Sequence, residues 1–119
     1  MLLIVGGEGS GKKTFAQSLG YTDKDIADAV LDERPVLYHL EQMVFADPQC
    51  TDALLTALAD KEAVICNEVG SGVIPADRAE RVGREATGRL CVLLAQRANC
   101  VVRMVSGIPT VIKGDLACR

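Results

Sequence analysis

The stretch Gly6-Gly7-Glu8-Gly9-Ser10-Gly11-Lys12-Lys13-Thr14 carries the most readable chemistry in this chain. A glycine, four residues, then glycine and lysine is the phosphate-binding spacing G-x-x-x-x-G-K-[ST]. It is met at every position but the last, where Lys13 stands for serine or threonine. Glycines let the backbone take positive φ and curl around a phosphate. The loop amides then point inward, and a following helix adds the positive end of its dipole. Lys12 meets the β- and γ-phosphates as a point charge. The usual hydroxyl would hold Mg²⁺. Protonated Lys13 cannot ligate a metal, and Thr14 comes one residue late, about 100° further round the helix. The competing reading is a Gly-rich turn with no ligand. The apolar run Leu2-Leu3-Ile4-Val5 directly before the loop favours a nucleotide or phosphate.

Other residues able to do chemistry are fewer. Glu68, in Asn67-Glu68-Val69-Gly70, and Glu41 can organise a metal indirectly; the alternative for each is a solvated loop carboxylate. His39 is the single histidine. An imidazole serves as base or nucleophile; the alternative is a packed or edge-strand histidine. Arg78, Arg81, Arg84 and Arg89 fall on a helix where pairing with Glu80 and Glu85 is the default. Arg78, nearest the helix start, is the one placed to reach a phosphate. Cys50, Cys66, Cys91, Cys100 and Cys118 form no C-x-x-C pair and are odd in number. They read as reduced thiols of a cytoplasmic protein, with no protein-built metal site.

The elements that must position these groups follow from the pattern. Leu2 to Val5 reads as a buried strand, and Lys12 to Leu19 as a helix closed by Gly20. Thr22 to Asp25 caps a short helix running to about Leu31, broken by Asp32-Glu33-Arg34-Pro35. Val36 to Leu40 reads as a strand, while Glu41 to Ala46 suits either period. Thr51 or Asp52 caps a helix over Ala53–Ala59, and Ala63 to Cys66 is a second buried strand. Pro75 opens a long helix to about Arg97, with Ala79, Val82, Ala86, Leu90 and Leu93 as its apolar face. Gly83 and Gly88 weaken that helix and allow close packing on the sheet. Cys100 to Val105 and Thr110 to Lys113 are strands, and residues 114–119 a loose tail.

Short apolar strands alternating with helices predict an α/β fold, a mostly parallel sheet flanked by helices, P-loop NTPase-like. At 119 residues the whole chain, 1–119, reads as one domain. The ligand should lie at the carboxyl ends of the strands. There the phosphate loop, Glu41, the Asn67–Gly70 loop and Ser106-Gly107 gather. A net charge of −3 argues against nucleic acid as a partner. No apolar run is long enough to span a membrane, and no signal-peptide pattern opens the chain.

Asn67-Glu68-Val69-Gly70-Ser71-Gly72-Val73-Ile74-Pro75, Asp77-Arg78, Gly88-Arg89 and Val105-Ser106-Gly107-Ile108 resemble the adenosylcobinamide kinase/adenosylcobinamide-phosphate guanylyltransferases of cobalamin assembly. Gly6-Gly7 and Ser10-Gly11-Lys12 match that family's opening Gly-Gly-x-x-Ser-Gly-Lys-Ser. The resemblance covers residues 1–17 and about 62–113. It implies a nucleotide site at Gly6, Gly7, Glu8, Gly9, Ser10, Gly11, Lys12, Lys13 and Thr14. It further implies Lys12 and Glu68 in catalysis, Mg²⁺ with ATP or GTP as cofactor, a corrinoid as second substrate, and a homo-oligomer.

The family's two reactions are γ-phosphate transfer to the aminopropanol hydroxyl of adenosylcobinamide and GMP transfer through a histidine-bound nucleotide. This chain is shorter than the family's members. The resemblance places its shortfall between the first helix and Val36, or nearby, where the family carries the accepting histidine and its Arg-Pro neighbourhood. Either His39 replaces the metal-organising Asp of a Val-Leu-Val-Asp strand, or Arg34-Pro35 is what is left of the Arg-Pro piece. In neither alignment is His39 the accepting residue, and the guanylyltransferase step reads as lost. Along the long helix Gly88-Arg89-Leu90-Cys91-Val92 stands where Gly-Arg-x-Asn-Gln is usual, so Cys91-Val92 replaces Asn-Gln. Two readings remain. One is a minimal kinase acting on cobinamide. The other is a degenerate nucleotide-binding or scaffold homologue acting through a partner.

Overall fold

The computed structural model describes residues 1–69 and 77–118. Ten elements run in order: β1 (Leu2–Gly6), α1 (Lys12–Ser18), β2 (Ile26–Asp28), β3 (Val36–Tyr38), α2 (Leu40–Ala46), α3 (Thr51–Leu58), β4 (Ala63–Asn67), α4 (Arg78–Arg97), β5 (Cys100–Val105) and β6 (Ile108–Lys113). They make one six-stranded sheet ordered β2-β3-β4-β1-β5-β6. Every pairing is parallel except β5 with β6. The expected α/β architecture is therefore the observed one.

The apolar runs of β1 and β4 lack alternation because both faces of the sheet are covered. Parity divides them. Leu3, Val64 and Cys66 face α2, α3 and α4, packing with Leu40, Val44, Leu58, Leu90 and Leu94. Leu2, Ile4, Ala63 and Ile65 face the other side, with Ala16 and Phe15 of α1. Among the described residues no helix is long and apolar enough to cross a membrane.

Several local readings are corrected. Residues 26–28, expected in a helix, form β2. Asp23–Asp25 make only one 3-10 turn, in which Asp25 Oδ2 accepts from the Thr22 amide at 2.8 Å. Ile26 and Ala27 then bury themselves against Val36 and Leu37 in parallel register. A segment this short carries no usable period, so tertiary pairing decides it. Glu41–Ala46 resolves as helix. Helix α3 starts at Thr51 with Cys50 as its cap residue and no side-chain cap, because the Asp47 turn (Cys50 N–H to Asp47 O, 3.1 Å) runs straight into it. The last segment forms a 3-10 turn over Leu116–Cys118, with Leu116 against the α1-side core.

The described part of the long helix begins at Arg78, with Asp77 accepting from the Ala79 amide at 2.8 Å; Pro75 lies outside the described residues. Its buried face is Gly83, Ala86, Thr87, Leu90 and Leu94, while Ala79, Val82 and Leu93 are exposed. The expected stripe is thus correct at Ala86 and Leu90 and displaced by about one residue at its ends. Gly83 is the reason. It packs against α2, not the sheet, and a Cβ there would lie 2.8–3.0 Å from the Phe45 ring. At Gly88 a Cβ would meet no described atom within 4 Å.

The two glycines therefore predict opposite signs. Gly83→Ala is expected to destabilise by about 1–2 kcal/mol, overpacking outweighing helix propensity. Gly88→Ala is expected to stabilise by about 0.5–1 kcal/mol. Urea titration of both variants checks the pair; equal shifts would contradict the packing argument.

Candidate functional site

Strand β1 ends on Gly6 and the chain must turn at once. A Cβ on Gly6 would sit 2.6 Å from Ser10 Oγ and 2.7 Å from the Met104 carbonyl oxygen, so no larger residue fits the close approach of loop and β5. Gly9 and Gly11 take φ of 71° and 94°, the left-handed region that favours glycine. Lys12 opens α1, and its side chain points back into the loop. It is 4% exposed and its Nζ donates to the Gly7 carbonyl at 2.6 Å. Burial pushes its pKa below the ordinary 10.5, opposed mainly by the Glu41 carboxylate. Ser10 Oγ is buried with no hydrogen-bond partner among the described residues.

The neighbouring strand ends hold the loop in place. The Glu68 amide donates to the Gly6 carbonyl at 2.7 Å, and the Gly107 amide to the Ser10 carbonyl at 2.9 Å. Ser106 and Gly107 have φ of 50° and 78°, a tight hairpin turn between β5 and β6. Glu41, in the first turn of α2, is buried, and its Oε1 accepts from the Asn67 amide at 2.8 Å. Glu8, Glu41, Asn67 and Glu68 line a recess on one side of the loop. Gly9, Gly11, Lys12, Lys13, Thr14 and Tyr38 line a cleft on the other. Loop, Glu41, Asn67–Val69 and Ser106-Gly107 thus gather at the carboxyl edge of the sheet; Gly70 lies outside the described residues.

The remaining candidates sit as follows. Lys13 lies 3.6 Å from Asp23 Oδ1, with its ammonium 5.7 Å from the Tyr38 ring centre. Gly7, Glu8, Gly9 and Thr14 are exposed. Glu68 is tied to Arg103, whose Nε and Nη2 donate to its two carboxylate oxygens at 2.7 and 3.1 Å. Arg84 and Arg89 pair with Glu80 and Glu85, and Arg78 is exposed at the start of α4. Cys50, Cys66, Cys91 and Cys100 are not in disulfides. Cys66 and Cys91 touch at 3.6 Å, and the neighbouring thiol together with burial pushes Cys66 up.

Reading the sequence missed two partners. Arg103 is a lone charge inside an otherwise apolar strand, and that was a usable signal. Asp28, whose Oδ1 lies 2.6 Å from His39 Nδ1, gave none while its segment read as helix.

A glycine loop with a buried lysine, on the carboxyl edge of a mostly parallel, helix-flanked sheet, is an α/β arrangement compatible with the P-loop NTPase-like class. The model of the cobinamide kinase / cobinamide phosphate guanyltransferase family matches residues 30–112, most of the chain, and the chain belongs to that family. The match starts after the glycine loop and includes residues 30–61, which the motifs alone left out. Over 74 residues the chain is 38% identical to the bifunctional adenosylcobalamin biosynthesis protein CobU of Escherichia coli strain K12. That alignment spans 62% of this chain and 41% of the relative, so the chain covers less than half of the protein it matches.

Proposed function

We propose that this protein is a cytoplasmic kinase of cobalamin biosynthesis that binds ATP or GTP in the loop Gly6–Thr14 and transfers the γ-phosphate to a hydroxyl of cobinamide. The observation that supports this most is Lys12, a cation buried at the mouth of a glycine loop whose Ser10 hydroxyl lacks a protein partner among the described residues. An unpaired buried hydroxyl costs free energy unless something satisfies it, and a phosphate oxygen does so. In this reading the loop amides and Lys12 clamp the β- and γ-phosphates. The Gly6 and Gly11 turns keep side chains out of their way.

Mg²⁺ is the cofactor of the proposal, and the residues fit it in part. Lys13 offers no ligand, but Ser10 Oγ and the buried Glu41 carboxylate lie beside the loop as donors, and Glu68 joins them once Arg103 releases it. When bound, Mg²⁺ neutralises charge developing on the transferred phosphoryl group. Glu41, fixed by the Asn67 amide, is oriented before substrate arrives. The proposal assigns the kinase half of the family's chemistry alone. It includes self-association through β6, which exposes Ile108, Val111 and Ile112 on the sheet's edge; light scattering measures this directly.

One observation favours a second reading, a nucleotide-binding module that transfers nothing: Arg103 occupies both oxygens of Glu68. The deciding experiment titrates ATP and GTP calorimetrically with and without Mg²⁺, then follows labelled γ-phosphate into cobinamide. Binding with transfer supports the kinase. Binding without transfer supports the module. No binding at millimolar nucleotide excludes both.

A further inference from the structure

The two sides of the glycine loop carry opposite charge. Glu8, Glu41 and Glu68 line the recess on one side. The cleft on the other is lined by Gly9, Gly11, Lys12, Lys13, Thr14 and Tyr38, with no carboxylate among the described residues. A nucleoside triphosphate brings several negative charges, so the cleft is the side that admits its phosphate chain. Two ammonium groups belong to that side. Lys12 is buried and donates to the Gly7 carbonyl. Lys13 follows it, at the position where the motif has the hydroxyl that holds Mg²⁺.

Lys13 is held in a way that leaves its charge available. Its side chain is 42% exposed, and that of its partner Asp23, 3.6 Å away, is 78% exposed. An ion pair this open contributes little, and a phosphate chain with several charges outcompetes it. The ammonium also lies 5.7 Å from the centre of the Tyr38 ring, within the range of cation–π attraction. Tyr38 is in turn stacked on His39, with centroids 3.7 Å apart. The aromatic wall therefore keeps the ammonium beside the cleft, on a four-carbon stem long enough to follow a ligand.

Resting on the nucleotide-binding half of the reading above, we infer that Lys13 is a built-in counter-cation for the phosphate chain. During capture it does what the motif's hydroxyl does by holding a metal: it places positive charge against the phosphates beside Lys12. ATP or GTP then binds as the metal-free anion about as well as it binds with Mg²⁺. Capture of nucleotide and the metal-assisted transfer proposed above become separate demands on the site. The substitution at the last letter of the motif changes how the loop neutralises its ligand, and leaves the loop a binding site.

The test is calorimetric binding of ATP and of inorganic tripolyphosphate to the whole chain, in excess Mg²⁺ and in excess chelator. The variants are Lys13→Met, which keeps the side-chain length and removes the charge, and Lys13→Ser, which restores the motif's hydroxyl. The wild type is expected to bind each metal-free anion within about threefold of its affinity in Mg²⁺. Lys13→Met should weaken metal-free binding of both anions by about 10- to 30-fold. Lys13→Ser should show the same loss in chelator and recover most of it in Mg²⁺. A wild type that binds only in Mg²⁺, or an unchanged metal-free affinity in Lys13→Met, overturns the inference and leaves the Lys12 site standing. So does a Lys13→Ser variant that Mg²⁺ fails to rescue, or a loss seen with ATP and not with tripolyphosphate, which would put Lys13 against the nucleoside. No binding by the wild type in either condition overturns the inference and the kinase reading together.

Discussion

Lys12→Ala is expected to weaken nucleoside triphosphate binding by about 30- to 1,000-fold, or about 2–4 kcal/mol. Burial sets the size of this effect. Lys12 is 4% exposed, so its ammonium has already lost most of its water in the folded protein. A phosphate meeting it gains nearly the whole attraction, because little solvent remains to be displaced. The same burial means that the lysine contributes little to folding. It is a desolvated cation whose Nζ donates to the Gly7 carbonyl, and burial, opposed by the charge of Glu41, holds its pKa below the ordinary 10.5. Removing it relieves one cost and leaves Glu41 with less counter-charge. The unliganded variant should therefore melt within a few degrees of wild type. What should vanish is the rise in Tm that saturating nucleotide confers. Lys12→Arg should recover only part of the affinity, since a planar guanidinium does not fit a space shaped for an ammonium. Equal affinity in wild type and Lys12→Ala would remove the basis for a nucleotide site here.

Gly6→Ala is the second change with a large expected effect. It should cost about 2–3 kcal/mol of stability and abolish nucleotide binding. Two effects compete. Alanine stiffens the unfolded chain and would add about 0.5–1 kcal/mol wherever it fits. Here it does not fit. Ser10 Oγ, 2.6 Å from the new Cβ, can rotate away. The Met104 carbonyl, at 2.7 Å, belongs to the backbone of β5 and is fixed by the register that pairs Gly6 with Met104. The strand ends must part, and the loop that Gly6 begins moves with them. Gly7→Ala is the control: no described atom lies within 4 Å of its Cβ position. It should stay within about 0.5 kcal/mol of wild type. Denaturant melts of the two variants separate close packing from a general effect of removing glycine.

Much of this was legible in the residues. Leu2–Val5 and Ala63–Cys66 are apolar on both faces, as a covered parallel sheet requires, Cys100–Val105 is apolar but for Arg103, and all three are strands of one sheet. The loop's glycines could be read because a tight turn constrains which residues fit it: Gly9 and Gly11 take positive φ, and Gly6 leaves no room for a Cβ. Ile26–Asp28 could not be read, since three residues carry no period and their fate was decided by Val36 and Leu37. The displaced face of α4 has the same origin. Gly83 counts as a weak helix former by propensity, yet the Phe45 ring makes it a contact residue. Pairs such as Glu68 with Arg103 and His39 with Asp28 join residues 35 and 11 positions apart, and only the fold brings them together.

The sheet order also has a consequence for synthesis. Strand β1 lies between β4 and β5, so Leu2 pairs with Ala63 on one side and Cys100 on the other. On a ribosome its second partner emerges about 5–20 s after it, at about 5–20 residues per second. Throughout that interval Leu2-Leu3-Ile4-Val5 has an unpaired edge. The glycine loop is likewise synthesised well before it is anchored, because the Gly107 amide that holds Ser10 follows β5. A nascent chain of this protein should therefore be a good client for a chaperone that recognises short apolar segments, and ligand competence should arrive in one late step.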